Sequence, residues 1–381
     1  MPQGEDFWNP YRWVKVKRER PSLQEPFYHH DFQGLKGFAE CVVEALTPLF
    51  ISEATKTGSA SGQQSTRAMG FIKHPRTGKP FIPGTSLKGM IRSLFELLSN
   101  SAIPFRQGYA DENHKVDKAC QGDMVPIKLD PAARVFGYLN SGLVFRGLAR
   151  FSDAHPVRET KEIGPFKVVV GQPRPETHKP FYPADKLRRK FYHHHPNRKS
   201  ALVEAPQNIT QTASVRPLAP GCKFSFRVDF ENLRQEELDL LIYCLELEDN
   251  VTVTLSPEAL GPKFKSPTTF SGPMCHKLGG CKPHGAGSAR IQITRLVIYR
   301  DIKARYSSQR LQREELTEKS LKDYLGARKE EALKKIDPAI LKELRAMMIF
   351  SEQDPRTNIH YPDYSWFRSP SGSKKGLKPT V

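Results

Sequence analysis

Long apolar runs are missing from this chain. No stretch approaches the roughly 18–20 uncharged apolar residues that a membrane-spanning helix needs, and residues 1–25 lack the apolar core of a secretory signal. Cysteine is scarce as well, with six residues scattered over 381, a pattern that favours free thiols in a reducing compartment over a disulfide framework. We therefore expect a soluble, cytoplasmic protein with no membrane partner.

Acidic residues are in deficit. The 41 aspartates and glutamates face 59 lysines and arginines, which leaves a formal net charge of +18. Such an excess is typical of proteins that bind polyanions. A membrane surface is the weaker interpretation, because the sequence has no basic amphipathic helix with an aromatic face. We therefore expect nucleic acid to be the main partner.

Hydrophobic residues make up only 38% of the chain, yet six segments show the periodicity of regular elements. In order, they predict a strand, a helix, two strands, a helix and a strand: Leu35–Ile51, Pro83–Ser99, Leu143–Phe151, Cys222–Phe230, a helix after Asn232, and Ser288–Arg300. Thr85 or Ser86 is expected to cap the first helix and Asn232 the second. This order predicts an α+β fold of the ferredoxin-like, or split βαβ, type that RNA-recognition-motif domains also have.

Polar and proline-rich stretches separate these elements. We expect an extended N-terminal segment over 1–33, a ferredoxin-like core over 34–306 and a helical and extended tail over 307–381. The core carries insertions at 52–82, 100–141 and 155–220, all polar or rich in turn residues. In the tail, the patterns predict helices over Leu316–Glu331 and Pro338–Met348.

Two short motifs have the chemistry of phosphate sites. The segment FIPGTSLKGMIR, residues 81–92, places two hydroxyls and two cations at a helix start whose free amides favour anions, although a capped surface helix explains it about as well. The segment HKLGGCKPHGAGSARI, residues 276–291, places four glycines next to two lysines, which suits backbone amides that face phosphates. A glycine-rich hairpin packed on its own sheet is the equal alternative.

The insertion at 155–220 contains a further basic segment, KPFYPADKLRRKFYHHHPNRK, residues 179–199. Cations interleaved with aromatic rings are how proteins hold single-stranded nucleic acid, and a solvated charged loop is the usual alternative for such a run. Two alternatives remain open. Cys275, Cys281 and His284 have the spacing of zinc ligands, and His193–His195 are candidates for acid–base cleavage of RNA, although a histidine run in a basic loop is more often at the surface.

Taken together, these motifs resemble those of the RAMP superfamily, the repeat-associated proteins of CRISPR effector complexes. PGTSLKG (83–89) is similar to the family's helix start, and residues 276–287 resemble its glycine-rich loop, HKLGxGKPxGxG. The likeness extends, in chain order, to FWNPYRW (7–13), ALTPLFI (45–51), RVFGYLNSGLVFRGLARFSDA (134–154) and the strand and helix of 218–247. The resemblance implies a ferredoxin-like palm that binds guide RNA, with an inserted β-hairpin thumb, in subunits that stack head to tail.

In relatives that cut target RNA, an aspartate lies about fifteen residues before the proline of the helix motif. Counting back from Pro83 places this position at Ala68, and the segment 54–94 has no carboxylate. An alanine can neither move the proton of a 2′-hydroxyl nor hold a metal. We therefore expect a subunit with no catalytic residue, no metal and no cofactor, of a type III-D-like or type VII-like complex, with a separate nuclease as partner.

The resemblance and the motifs together give the candidate interface with CRISPR guide RNA and complementary target RNA. It comprises Lys73, Arg76, Thr85, Ser86, Lys88, Arg92, Arg146, Arg150, Lys186, Arg188, Arg189, Lys190, His276, Lys277, Gly279, Gly280, Lys282, Gly285 and Gly287. Three alternatives are an endoribonuclease that processes repeat RNA without metal, a target-cleaving subunit, and a single end-capping subunit in place of a repeated one. Copies of itself and other effector subunits are the expected protein partners.

Overall fold

A computed structural model of the chain describes residues 8–17, 19, 21–52, 68–102, 128–140, 143–169, 188–195, 212–261, 263–299, 313–356 and 359–361. The strands are β1 (Tyr11–Lys15), β2 (Leu35–Ala45), β3 (Tyr138–Asn140), β4 (Leu143–Phe145), β5 (Ala149–Phe151), β6 (His155–Pro156), β7 (Phe166–Val169), β8 (Arg188–Tyr192), β9 (Thr212–Val215), β10 (Lys223–Leu233), β11 (Val251–Leu255), β12 (Thr268–Gly272), β13 (His276–Lys277), β14 (Ser288–Tyr299) and β15 (Arg313–Leu316). The helices are α1 (Gly84–Leu98), α2 (Pro131–Phe136), α3 (Gln235–Leu245), α4 (Pro257–Leu260), α5 (Glu318–Lys335) and α6 (Pro338–Met348). None of these helices is long and apolar enough to cross a bilayer.

An antiparallel sheet in the order β13-β14-β2-β10-β5 forms the centre of the molecule, with β15 added to β14 and β6 to β10. The predicted elements are β2, α1, β5, β10, α3 and β14, and their strands lie in the spatial order fourth, first, third, second. This is the order of the ferredoxin-like fold, so the predicted fold class is confirmed.

Strict alternation in β10 explains why the sheet has one apolar face. Phe224, Phe226, Val228 and Phe230 are buried, while the residues between them are more exposed. The register places these side chains beside Ala39, Cys41 and Val43 of β2, on the face that α1 and α3 cover. Burial of each large apolar side chain contributes roughly 1.5–3 kcal/mol, which fixes this face towards the helices.

The two helix starts differ from the sequence-based prediction. Helix α1 begins at Gly84 after Pro83, with no side-chain cap, and Thr85 is exposed. Asn232 does not cap α3, because it lies in β10 with a φ of 56° and its Nδ2 donates to Tyr28 O. The cap residue is instead Arg234, whose N–H donates to Glu237 Oε2 over 3.0 Å.

Strand lengths also depart from the prediction. The first strand ends at Ala45, slightly before the end expected near Thr47 and Pro48, and the predicted strand 143–151 is divided into β4 and β5. The break contains Gly147, where a Cβ atom would lie 2.4 Å from the carbonyl carbon of Phe136. Close packing of this backbone on α2, a helix inside the insertion at 100–141 that the sequence analysis did not predict, therefore interrupts the strand.

The insertion at 155–220 is tied to the rest of the molecule at several points. Strand β6 joins β10, β7 pairs with β9, and β8 pairs antiparallel with β1 of the N-terminal segment. Residues 170–187 and 196–211 lie outside the described residues, and most of the expected β-hairpin thumb falls there. The pairing of β8 with β1 places the second half of the basic segment beside the glycine-rich loop.

Candidate nucleic-acid interface

The glycine-rich loop is a tight turn whose shape depends on two glycines. Gly279 and Gly287 have φ values of 79° and 78°, and a Cβ atom would lie 2.2 Å from Phe50 O at the first and 2.0 Å from Leu278 O at the second. No other residue type fits such contacts in a left-handed conformation. Between them, Lys282–His284 form a single 3-10 turn.

Backbone amides of this loop are used within the protein. Gly280 N–H donates to Phe50 O over 2.7 Å, Gly287 N–H to Pro48 O over 2.9 Å, and Gly285 N–H to Lys282 O over 3.1 Å. These amides therefore do not point towards a ligand, which agrees with the hairpin packed on its own sheet. His276 is also buried, and its Nε2 donates to Leu245 O over 3.2 Å. Any anion at this loop would be held by its lysines.

Strand β8 brings a further lysine to the loop. Lys190 Nζ lies 3.7 Å from the ring centroid of Tyr11 and 4.9 Å from that of Tyr192, and Lys282 Nζ lies 5.9 Å from the Tyr192 centroid. Lys277 Nζ donates to Gly285 O and Ala286 O over 3.3 and 3.0 Å. We call Lys190, Lys277 and Lys282 the lysine cluster.

Desolvation lowers the pKa of every member of the lysine cluster. Burial, followed by the charge of Lys282, lowers the pKa of Lys277 to about 7 and that of Lys190 to about 8. Burial alone lowers the pKa of Lys282. None of the carboxylates in the described ranges forms an ion pair with these lysines. The cluster is therefore a partly dehydrated positive site that an anion would stabilise.

The predicted arginines beside it are paired inside the protein. Arg92 Nε donates to Glu96 Oε1 over 2.7 Å, and Arg189 forms an ion pair with the other oxygen of Glu96. Glu96 is only 2% exposed, so this carboxylate is neutralised by two guanidinium groups that pack α1 against β8. Desolvation lowers the pKa of Arg189 to about 10. Both arginines thus have a structural partner that the sequence did not reveal.

Other predicted cations lie on the surface. Lys73 pairs with Glu162 over 3.1 Å and Arg150 with Glu231 over 2.8 Å, and such exposed pairs contribute little and exchange easily. Arg76 and Arg146 are exposed. Lys186 lies outside the described residues, and Arg188 begins β8 opposite Lys15.

The start of α1 is anchored by a carboxylate. Asp153 Oδ1 accepts the N–H of Gly84 over 2.7 Å, and a Cβ on Gly84 would lie 2.4 Å from Phe151 O. A negative group already occupies this helix N-terminus, so the expected phosphate contact there has a competitor. Ser86 and Lys88 are half-buried, and desolvation followed by the charge of Arg92 lowers the pKa of Lys88.

The histidine run is buried, contrary to the expectation of a surface location. His193, His194 and His195 are at most 3% exposed. Nε2 of His194 donates to Cys275 O over 3.0 Å, and its Nδ1 accepts from Ser288 Oγ over 2.8 Å. Burial lowers the pKa of His193 and His194 well below the ordinary value. The imidazoles of His193 and His194 are therefore not accessible to a substrate, whereas the endoribonuclease alternative requires that access.

The zinc alternative also lacks a geometric basis. Among the residues that the structure describes, no three His, Cys, Asp or Glu side chains are grouped as metal ligands. His284 Nε2 donates to Val169 O over 2.9 Å, while burial raises the pKa of the Cys275 and Cys281 thiols to about 12 and 11. The three candidate ligands are therefore used in packing.

Ala68 lies next to a segment that packs on the glycine-rich loop. Met69 N–H donates to Ser214 O over 2.8 Å and Met69 O accepts from Arg216 N–H over 2.9 Å. The Met69 side chain belongs to a small apolar cluster with Cys281 and Ala286. Position 68 thus precedes a residue that packs beside the glycine-rich loop, and its side chain is only a methyl group.

Sequence reading missed two contributors to this interface. Tyr11, whose ring lies under Lys190, was predicted only as part of an extended aromatic segment, and Glu96 was not singled out at all. The aromatic and basic composition of residues 7–13 was the available signal for Tyr11. Glu96 gave no signal, because a glutamate in the helical pattern of α1 reads as solvent-exposed until β8 is placed against it.

Comparison with known proteins identifies the family to which this chain belongs. Among solved structures, a chain of a "Type IV-B CRISPR Complex" is similar at 15% sequence identity and a TM-score of 0.35, over 68% of this chain and 90% of that chain. No curated protein matches the chain. The family model described as "RAMP superfamily" matches residues 42–252, a span from within β2 to the start of β11. Because this span covers more than half of the sequence, the chain belongs to the RAMP superfamily.

Proposed function

We propose that the protein is a guide-RNA-binding backbone subunit of a class 1 CRISPR ribonucleoprotein of the type III-D-like or type VII-like kind. The lysine cluster is the observation that carries this proposal, because it joins two sequence-distant basic motifs in one desolvated positive site. A phosphodiester of the RNA backbone would supply the missing negative charge. Sequence would be read by base pairing between guide and target.

In this proposal the protein residues hold and orient RNA. Lys190 and Lys282 would contact phosphate oxygens, while Lys277 supports the loop from within through Gly285 O and Ala286 O. Arg76, Arg146 and Arg188 would extend the positive track along the backbone, since RNA affinity sums over many weak phosphate contacts. Copies of the chain would follow one another along the guide.

We further propose that the subunit does not cut its target. Position 68 is alanine, and neither general-base nor metal chemistry is possible with a methyl group. Cleavage would then need a separate nuclease recruited to the complex. The buried histidines favour this proposal over the endoribonuclease alternative, because a proton-transfer group has to reach its substrate.

Binding is tested with a matched pair of double variants. Lys190→Ala with Lys282→Ala removes two members of the lysine cluster, and Arg227→Ala with Arg295→Ala removes the same charge from strands β10 and β14, where both arginines are paired with carboxylates. We expect the first to weaken guide-RNA binding by about 10- to 100-fold and to reduce the slope of log K against log salt by about 2. Equal losses in both double variants would contradict a localised site.

Cleavage is tested with the wild-type protein, guide RNA and labelled complementary RNA in Mg²⁺ or Mn²⁺. We expect binding without cuts. Cuts at a constant spacing would show that another residue acts in place of position 68 and that the subunit is itself the nuclease.

A further inference from the structure

The histidine run and the C-terminal tail meet in a buried polar cluster next to the RNA site. Arg356 is 3% exposed, and its guanidinium donates to Asp354 Oδ1 over 2.8 Å and to Asp354 Oδ2 over 2.6 Å. Nη1 also donates to Ala346 O over 2.8 Å and to His193 Nδ1 over 3.2 Å. An arginine from the tail thus binds the first residue after β8.

The same tail holds the beginning of the N-terminal strand. Ile359 forms a parallel bridge with Trp8, and His360 N–H donates to Trp8 O over 3.0 Å. The Arg356 guanidinium lies 5.7 Å from the Trp8 ring centroid, and the rings of Trp8 and His193 meet edge to face at 6.0 Å. The backbone N–H of His193 also donates to Pro10 O over 3.0 Å, which connects the end of β8 to the segment before β1.

His194 extends the cluster to the strands that flank the glycine-rich loop. Its two ring nitrogens bond Ser288 of β14 and Cys275 just before β13, and its ring packs edge to face on Phe350 at 5.6 Å. Cys275 N–H in turn donates to Met348 O over 2.8 Å. The end of β8 is therefore enclosed between the tail and the base of the loop.

We propose that Trp8, His193, Asp354 and Arg356 form a latch by which the C-terminal tail positions Lys190 against the glycine-rich loop and so sets RNA affinity. Lys190 lies on β8, three residues before His193, and β8 is paired along its length with β1. The latch holds β1 at Trp8 and β8 at His193, so opening it would let the strand pair move away from the loop. These are positioning residues, and their effect on RNA rests on the proposed function.

The test compares two neutralised ion pairs of the tail. Arg356→Met with Asp354→Asn removes the latch pair without leaving a buried charge. Arg345→Met with Glu248→Gln removes a pair in which Arg345 Nε donates to Glu248 Oε1 over 2.9 Å and which is not bonded to His193. Each is measured with Lys190 and with Lys190→Ala. We expect the latch variant to weaken guide-RNA binding about tenfold with Lys190, and less than about twofold without it, because one positioned ionic contact is lost.

The control variant should change affinity less than about twofold in either background, although both variants should lower the melting temperature. Normal binding by a folded latch variant would overturn the proposal, as would an equal loss in the Lys190→Ala background. If the latch variant fails to fold, Arg356→Lys keeps the charge but shortens the reach to His193 and Ala346. Its guide-RNA affinity is then measured with Lys190 and with Lys190→Ala, and the same results support or overturn the proposal.

Amide hydrogen exchange separates the latch from the proposed function. Without any RNA, the latch variant should exchange faster at Arg188–Tyr192 and at Tyr11–Lys15, while the control variant should leave both strands protected. Unchanged protection in the latch variant would refute the latch even if guide RNA binds. If the latch variant exchanges faster but the wild-type protein binds no guide RNA, the latch is supported as the contact that holds the strand pair in place. Its effect on RNA affinity and the proposed function are then both refuted.

Discussion

Arg189 and Lys190 are neighbours in one basic run, yet they have opposite surroundings. Successive residues of a strand point to opposite faces, so β8 directs Arg189 to the buried carboxylate of Glu96 and Lys190 to Tyr11 and the glycine-rich loop. An arginine that neutralises a buried glutamate is costly to withdraw. The lysine has no such partner in the described part of the chain and is available to an anion.

The lowered pKa values in the lysine cluster predict that RNA binding takes up protons. A nearby phosphate raises the pKa of Lys277 and Lys190 from about 7 and 8. Below about pH 6 both are mostly charged, so affinity should be flat there and fall as the pH rises towards the ordinary lysine value of 10.5. Calorimetry at pH 8 in buffers of different ionisation enthalpy should show an uptake of up to about one proton for Lys277 and about half a proton for Lys190.

Arginine variants provide the control for this prediction, because a guanidinium stays charged throughout this range. Lys277→Arg with Lys190→Arg should bind RNA without the uptake. Cys275 and His194, which also contact the cluster electrostatically, have pKa values moved away from this window. The same uptake in the arginine variant would assign the proton to another group.

Position 68 offers a gain-of-function test. Ala68→Asp would place a carboxylate one residue before Met69, which packs beside the glycine-rich loop, where it could take a proton or bind a divalent ion. We expect this variant to cut bound target RNA at a constant spacing in Mg²⁺ or Mn²⁺. Ala68→Asn, of equal size but without the charge, should not cut. Cutting by the asparagine variant would show that charge at this position is not what matters.

At the scale of elements, α1 is fixed by its first residue. The backbone of Gly84 meets Phe151 O and Ser152 O so closely that a Cβ atom would lie 2.4 and 2.8 Å away, whereas a Cβ on Gly89 of the same helix meets nothing within 4 Å. The proline-glycine start of this helix therefore serves packing against the end of β5. The carboxylate of Asp153 completes this joint.

The two glycines of α1 predict stability changes of opposite sign. Gly84→Ala should lower the free energy of unfolding by about 1–3 kcal/mol, because the helix start has to shift away from β5. Gly89→Ala should raise it by about 0.5–1 kcal/mol through better helix propensity. Urea denaturation measures both, and stabilisation by Gly84→Ala would show that the joint at Phe151 is loose.

On the scale of the whole molecule, charge is sorted between two surfaces. On the uncovered face of the sheet, Lys223 pairs with Glu44, Arg227 with Asp229, and Arg295 with Glu40, at 3.3, 2.5 and 3.0 Å. This face is nearly self-neutralised and attracts a polyanion weakly. By contrast, no ion pair with a carboxylate is found for the lysine cluster among the described residues.

The proposed backbone role predicts a stoichiometry that depends on RNA length. Native mass spectrometry with guide RNAs of increasing length should show copies of the chain added one at a time, at a constant number of nucleotides per copy. A single copy on every guide would instead support the end-capping alternative. Lys190→Ala with Lys282→Ala should reduce occupancy at every length, because each copy would use the same site.

Much of this protein was determined by its sequence alone. The alternation in Lys223–Leu233 and the helical spacing in Gly84–Leu98 predicted the ferredoxin-like core, because local periodicity decides which face of an element can be buried. The family motifs and the excess of lysine and arginine indicated RNA. Helix caps and strand ends were less well predicted, since contacts such as Gly84 with Asp153 lie far apart in sequence.

Only the tertiary structure decided which cations have partners. Glu96 pairs with Arg92 within α1 and with Arg189 because β8 packs beside α1, and the histidine run is buried because the tail and the N-terminal strand close over it. Desolvation and Coulomb interactions depend on distance in space, and Trp8 and Ile359, about 350 positions apart in the sequence, form a bridge. Sequence thus determined the elements and the chemistry present, and packing determined which charges remain without a carboxylate partner in the described part of the chain.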